Sequence, residues 1–214
     1  MNDKKRCFIV GGGDFCAELF NPQKDDMIIA ADAGFEALKQ IGITPDTVVG
    51  DFDSLGYTPE HSDVIAHSPV KDDTDTMLAV EIGIEKGCEE FHIFGATGGR
   101  IAHTLGNLQI LKHLAGKDLV GYIFDRDTVI TVISKKTLTF SNASGYISLV
   151  PFGCDKATVT LSGFKYELTH GDLPSDRPLG ISNEFCGDKS SIVVHSGTVI
   201  AVWESAQTLP EKYF

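Results

Sequence analysis

No CxxC pair occurs in the sequence. Its cysteines, Cys7, Cys16, Cys88, Cys154 and Cys186, are odd in number and widely spaced. This pattern argues against a disulfide framework and a thiolate zinc site and fits free thiols in a reducing compartment. Beyond the short Lys4–Lys5–Arg6 stretch, runs of lysine or arginine are also missing: 18 basic residues stand against 30 acidic ones, for a net charge of -12. Proteins that grip duplex nucleic acid show a basic face, so nucleic acid is not an expected partner. Nucleotides stay open as substrates, because a bound divalent cation reverses the sign of the local field. No stretch approaches the ~20 apolar residues of a membrane helix, and the apolar run after MNDKKR is too short for the core of a signal peptide. No membrane partner is expected, and the cytoplasm is the expected location. The P-loop pattern and the GxGxxG fingerprint are absent as well.

What is present is an alternation. RCFIV, DMIIAAD, TVVGDFD, FHIFG and LVGYIF are short apolar runs with the character of strands. Between them, AGFEALKQIGI, DTMLAVEIGIEKG and the stretch from about His103 to Ala115 carry apolar residues at helical spacing. Strand–helix alternation predicts a mostly parallel, Rossmann-like sheet flanked by helices on both faces. After about residue 127 the pattern changes. TVITVIS, TLTF, YISLVPF, ATVTLSGF, SIVVHSG and TVIAVW are β-rich runs separated by Gly, Ser, Asn and Asp, with no long helical period. They predict a small antiparallel sandwich or barrel. The expected domains are 1–127, α/β, and 128–214, all β.

Open α/β sheets bind ligands outside the carboxyl ends of their strands. The polar groups of the first half recur at those ends. Gly11, Gly12 and Gly13 follow the first run, Asp32 the second, and Asp51 and Asp53 the third; TGGR, Thr97–Arg100, follows a later one. KDDTD, from Lys71 to Asp75, leads into a helix. The glycines serve either a tight turn or a phosphate. Thr74 and Asp75 serve either as helix N-caps or as ligands. The crowding of Asp72, Asp73 and Asp75 calls for a cation, since like charges at that spacing repel. Arg100, behind two glycines, suits either a surface ion pair or a phosphate. His103 and Asn107 share a helix face. Hard oxygen donors without thiols favour Mg²⁺, which completes its shell with water and substrate phosphates. Together these groups point to phosphoryl-type transfer from a nucleotide. The acceptor is not readable from them.

The segments ADAGFEAL, GITPDTVVGDFDSLG, KDDTDTMLA, GATGGRIAHTLGNLQIL and GISNEF, in this order, resemble bacterial thiamine pyrophosphokinases over nearly the whole chain. The resemblance implies an α/β nucleotide domain followed by a β-sandwich that binds thiamine. It implies Mg²⁺-dependent transfer of a pyrophosphoryl group from ATP, the cosubstrate, to the thiamine hydroxyl, with release of AMP. It also implies a homodimer with thiamine bound at the subunit interface. Carried over by motif, Asp51, Asp53 and Asp75 are the metal ligands and, with Arg100, the catalytic set. Gly11, Gly12, Asp32, Gly34, Ser54, Asp72, Thr74, Gly98, Gly99, Arg100 and His103 are nucleotide-binding positions. Phe164, Tyr166, Ser182 and Asn183 are thiamine-binding positions. Tyr166 offers an aromatic face to a cationic thiazolium, and Ser182 and Asn183 offer hydrogen bonds to the pyrimidine. The chain departs from the family pattern at Ala33, usually glycine, and at Ala102, usually a carboxylate before His103.

Two other readings compete. DFDSL is similar to the DxDx[ST] loop of haloacid-dehalogenase-type phosphatases, whose first Asp is a nucleophile; Gly50 interrupts the apolar strand that loop requires. Ala102 is the feature that would suit a thiamine- or nucleotide-binding module without turnover.

Overall fold

The protein is described by a computed structural model covering residues 4–53, 56–66, 73–204 and 208–213. Its contacts divide the chain into two compact units, Met1–Ile110 with Leu119–Arg126, and Leu111–Asp118 with Asp127–Phe214.

The first unit is built on six parallel strands: β1 (Arg6–Val10), β2 (Met27–Ala31), β3 (Thr47–Gly50), β4 (Val64–Ala66), β5 (Glu90–Phe94) and β6 (Val120–Asp125). They lie in the order β6-β5-β1-β2-β3-β4. Helices α1 (Gly34–Gln40) and α2 (Asp75–Glu85) belong to this unit, and α3 (Ile101–Gly116) begins in it. Strands of a covered parallel sheet lose the in–out alternation. Thus Cys7, Phe8, Ile9 and Val10 are all buried, as are Phe91, Ile93 and Phe94 on β5. The chain starts at β1, steps outward to β4, then returns to the other side of β1 with β5 and β6. The strand order therefore reverses between β1 and β5. There the connecting segments part to opposite directions and leave a crevice at the carboxyl ends.

The second unit holds two antiparallel sheets. One has the order β12 (Asn183–Glu184), β9 (Tyr146–Pro151), β14 (Thr198–Glu204), β7 (Thr128–Ser134). The other has the order β11 (Leu168–Pro174), β10 (Lys156–Ser162), β13 (Lys189–Ser196), β8 (Thr137–Ser141), β15 (Lys212–Tyr213). Here the period of two returns: Ala157, Val159 and Leu161 are buried on β10, and Ile192 and Val194 on β13. Trp203 of the first sheet meets Phe140 of the second edge to face, ring centroids 5.4 Å apart.

Four strands lie outside the runs read from the sequence. β4 is three residues long, and β12 and β15 are two each, too short to show a period. β11 reads LTHGDLP, an edge strand on which only Leu173 is buried, so it carries no apolar alternation.

Candidate active site

The floor of the crevice is made of backbone. Gly11 N–H donates to Phe94 O at 2.8 Å, Gly13 N–H to Gly95 O at 2.8 Å, and Asp14 N–H to Thr97 O at 3.0 Å. The pairing of β1 with β5 thus runs on beyond both strands. The approach leaves no space for side chains. A Cβ on Gly13 would lie 2.2 Å from Thr97 O, and one on Gly95, at φ +62, would lie 2.4 Å from Gly11 O. From α3, Asn107 Nδ2 donates to Ala96 O at 2.7 Å. The carbonyls of Gly95, Ala96 and Thr97 are therefore tied to three different groups. The glycine run is explained largely by this packing. Gly11, with its amide taken by Phe94, does not line the cavity, whereas Gly12 and Gly13 do.

Above this floor lies a cavity of ≈ 480 Å³, with Asp32, Asp51, Thr74, Asp75, Arg100 and His103 among its walls. Asp32 (φ +51) ends β2, and buried Phe52 (φ +59) stands between Asp51 and Asp53; both hold the left-handed conformation that side chains rarely adopt. The turn at Phe52 brings the Asp53 N–H to Asp51 Oδ1 at 3.2 Å. Asp51 consequently faces the cavity, while Asp53 is exposed and outside its lining. Farther along this loop the Tyr57 hydroxyl donates to the Glu36 carboxylate on α1. That bond lowers the pKa of Glu36 and raises that of Tyr57.

Thr74 caps α2, its Oγ1 accepting the Met77 N–H at 3.3 Å, and it also faces the cavity. The capping and ligand readings of Thr74 are thus compatible. Asp75 lies in the first turn of α2, where an acidic group is favoured by the helix dipole. Arg100 sits just before α3 and its carbonyl accepts the His103 N–H at 2.9 Å. Gly34 and Gly98 do not line the cavity. A Cβ on Gly34 would lie 1.9 Å from Val10 O, and one on Gly98 would lie 2.2 Å from the carboxyl carbon of Asp14. Gly99 does line it and has open space about it. So does Ala33, whereas Ala102 is exposed and outside the lining. Ser54 and Asp72 lie outside the described residues. Among the described residues no three carboxylate, imidazole or thiol side chains converge as a metal-ligand set. The donors on the cavity wall are nevertheless hard oxygens, with His103 the one imidazole and no thiol in the lining. That chemistry suits Mg²⁺ and not zinc.

In the second unit a mainly aliphatic cavity of ≈ 350 Å³ includes Phe164, Tyr166 and Asn183 in its lining. Asn183 makes three hydrogen bonds with its neighbours. Its Oδ1 accepts the Tyr166 N–H and the Glu184 N–H, each at 2.9 Å, and its Nδ2 donates to Tyr166 O at 2.8 Å. It therefore clamps the backbone of Tyr166 and does not offer a free carboxamide oxygen. Phe164 is buried against Phe185, centroids 5.2 Å apart. Ser182 (φ +57) is exposed outside this lining, and its N–H donates to Ser148 Oγ at 3.0 Å. Tyr166 is 62% exposed. Lys165 Nζ lies 5.8 Å from its ring centroid and is held 2.7 Å from Glu184 Oε1, a bond that raises the lysine pKa.

Comparison with known proteins also divides the chain in two. Residues 21–122 match the family model for the thiamin pyrophosphokinase catalytic domain, and residues 131–199 match that for the thiamin pyrophosphokinase vitamin B1 binding domain. The thiamine pyrophosphokinase of Bacillus subtilis is 31% identical over 183 residues, covering 81% of this chain and 85% of that protein. The crystal structure of a Bacillus subtilis thiamine pyrophosphokinase is similar with a TM-score of 0.84 and 29% identity, covering 94% of this chain and 99% of that one. That of Geobacillus thermodenitrificans gives a TM-score of 0.79 at 29% identity, covering 94% and 97%.

Proposed function

The chain belongs to the thiamine pyrophosphokinase family, and on that premise we propose how its residues divide the work of the reaction. As a member it is a transferase that converts thiamine to thiamine diphosphate. The donor is ATP. The thiamine hydroxyl oxygen attacks the β-phosphorus and gives up its proton to solvent, the bond from that phosphorus to the α–β bridging oxygen breaks, and AMP leaves. The observation that carries this reading is the convergence of Asp51, Asp75, Arg100 and His103 on one cavity at the strand-order reversal.

Arg100 pairs with phosphate oxygens and fixes their orientation, as a planar guanidinium does well. Gly12, Gly99, Asp32, Thr74 and His103 line the space for the nucleotide. Asp51 and Asp75 on the cavity wall, with Asp53 two residues along the Asp51 loop, would hold Mg²⁺. When bound, the ion offsets phosphate charge. In the second unit Tyr166 lends its ring to the cationic thiazolium, Phe164 and Ser182 contribute to the thiamine site, and Asn183 sets the position of Tyr166. The enzyme works in the cytoplasm, in keeping with its five free cysteines.

Incubation with thiamine, ATP and Mg²⁺, followed by chromatography, is expected to give thiamine diphosphate and AMP in equal amounts. Binding of thiamine without turnover would leave a binding module instead. ADP or inorganic phosphate as the main product, or phosphate trapped on Asp51, would point to other chemistry.

The active species is a homodimer with the thiamine site at the subunit interface. Tyr166, Leu179 and Ile181, 62%, 65% and 46% exposed, line or border the second cavity and form an apolar lip suited to a second copy. A twofold dimer is also the commonest symmetric assembly. Sedimentation equilibrium should give twice the chain mass of 23.1 kDa. A fully active monomer would rule the shared site out.

A further inference from the structure

Among the residues that line the cavity, Thr97 stands out for its buried hydroxyl. Thr97 is 6% exposed and its Oγ1 has no hydrogen-bond partner in the protein. Buried hydroxyls are nearly always paired, and leaving one unpaired costs stability. The backbone that carries it is pinned on both sides. The Thr97 carbonyl is bonded to the Asp14 N–H at 3.0 Å, and the preceding carbonyl is held by Asn107 at 2.7 Å. Gly13 packs so closely that a Cβ there would lie 2.2 Å from Thr97 O. The residue is part of the cavity lining, three positions before Arg100 and four before the first residue of α3. A hydroxyl, a guanidinium and the start of a helix of 16 residues share one preference, an anionic oxygen.

We propose that Thr97 is a nucleotide-binding residue whose Oγ1–H donates to a phosphate oxygen of the donor nucleotide, the partner that the protein itself does not supply. This rests on the reading of the cavity as the nucleotide site. The hydroxyl is a preorganised donor: the penalty of leaving it unpaired is borne by the ligand-free protein and is relieved on binding. Thr97 thereby favours a phosphate-bearing ligand over a bare nucleoside. Valine has the same shape without the donor, and serine keeps the donor without the methyl group.

The test titrates the full-length protein with a non-hydrolysable ATP analogue plus Mg²⁺, and separately with adenosine, in a calorimeter. The variants are Thr97→Val, Thr97→Ser and Arg100→Ala. Thr97→Val should bind the analogue ~10-fold or more weakly, as loss of a hydrogen bond to a charged group implies, and adenosine as wild type does. Thr97→Ser should stay within about threefold of wild type. Without ligand, Thr97→Val should melt at the wild-type temperature or higher, since an unpaired buried polar group has been removed. A lower melting temperature would show that the hydroxyl already has a structural partner and would overturn the proposal. Unchanged affinity of Thr97→Val for the analogue, or an equal loss toward adenosine, would overturn it too. Should Arg100→Ala still lose affinity in that case, the nucleotide site stands and only the role of Thr97 falls. If Arg100→Ala is also unaffected, the reading of the cavity falls as well.

Discussion

Asp51→Asn, Asp53→Asn and Asp75→Asn are each expected to lower kcat by ~100-fold or more while the fold stays intact, the usual cost of removing one preorganised electrostatic group. The substitutions are nearly isosteric, so the argument turns on charge. A neutral amide binds Mg²⁺ poorly and cannot offset phosphate charge. The local structure survives each change for identifiable reasons. At position 51 an asparagine oxygen still accepts the Asp53 N–H, now at 3.2 Å. Asp53 is exposed and outside the cavity lining, so no packing is lost with its charge. At position 75 the first turn of α2 loses an acidic group, worth ~0.3–1 kcal/mol near a helix N-terminus. A 100-fold loss of rate corresponds to about 2.7 kcal/mol of barrier, so the effect on catalysis exceeds the effect on stability. Rate, Mg²⁺ titration and thermal melting on the same samples separate the two. Near-normal turnover in all three folded variants would remove the carboxylates from the mechanism. Retained turnover in Asp53→Asn alone would confine the metal set to the residues that line the cavity.

Gly34→Ala is expected to damage the first unit itself. The added Cβ would lie 1.9 Å from Val10 O and 2.5 Å from Val10 C, both backbone atoms at the end of β1. Neither can rotate away, so α1 or β1 must shift. Overpacking of this kind typically costs ~1–3 kcal/mol. It acts against the gain of up to ~1 kcal/mol that alanine brings to a helix, and the collision wins. For a chain of this size a net loss of about 1–2 kcal/mol should lower Tm by roughly 2–8 °C, and activity falls with it because β1 leads into the cavity floor. Gly106→Ala is the matched comparison. It lies inside α3 with nothing within 4 Å of the added carbon, so the same substitution should raise Tm. Equal shifts in the two variants would mean that α1 does not pack against Val10 as described.

The apolar runs of the first unit were legible because a parallel sheet buries whole strands, and RCFIV or FHIF then admit few other readings. β11 was not legible, because an edge strand reading LTHGDLP buries little beyond Leu173. At the site, carboxylates at strand ends and an arginine behind two glycines announce their chemistry by type and place. Glycine does not. Gly11 and Gly12 read alike, yet one answers a carbonyl of β5 and the other lines the cavity. Asn183 could be read as a ligand residue because sequence gives no count of the bonds a carboxamide already makes, and here three are made within the fold. Thr97 gave the opposite difficulty. Only in the fold does a threonine between Ala96 and Gly98 become buried without a partner. Asn107 was visible on the His103 face of α3, but its hold on Ala96 was not.

Loops ordinarily trade their amide hydrogens with water in moments. The amides of Gly11, Gly13 and Asp14 instead answer the carbonyls of Phe94, Gly95 and Thr97, so they should exchange more slowly than the amides of an unpaired loop. The crevice floor is a loop in space that is bonded like a sheet.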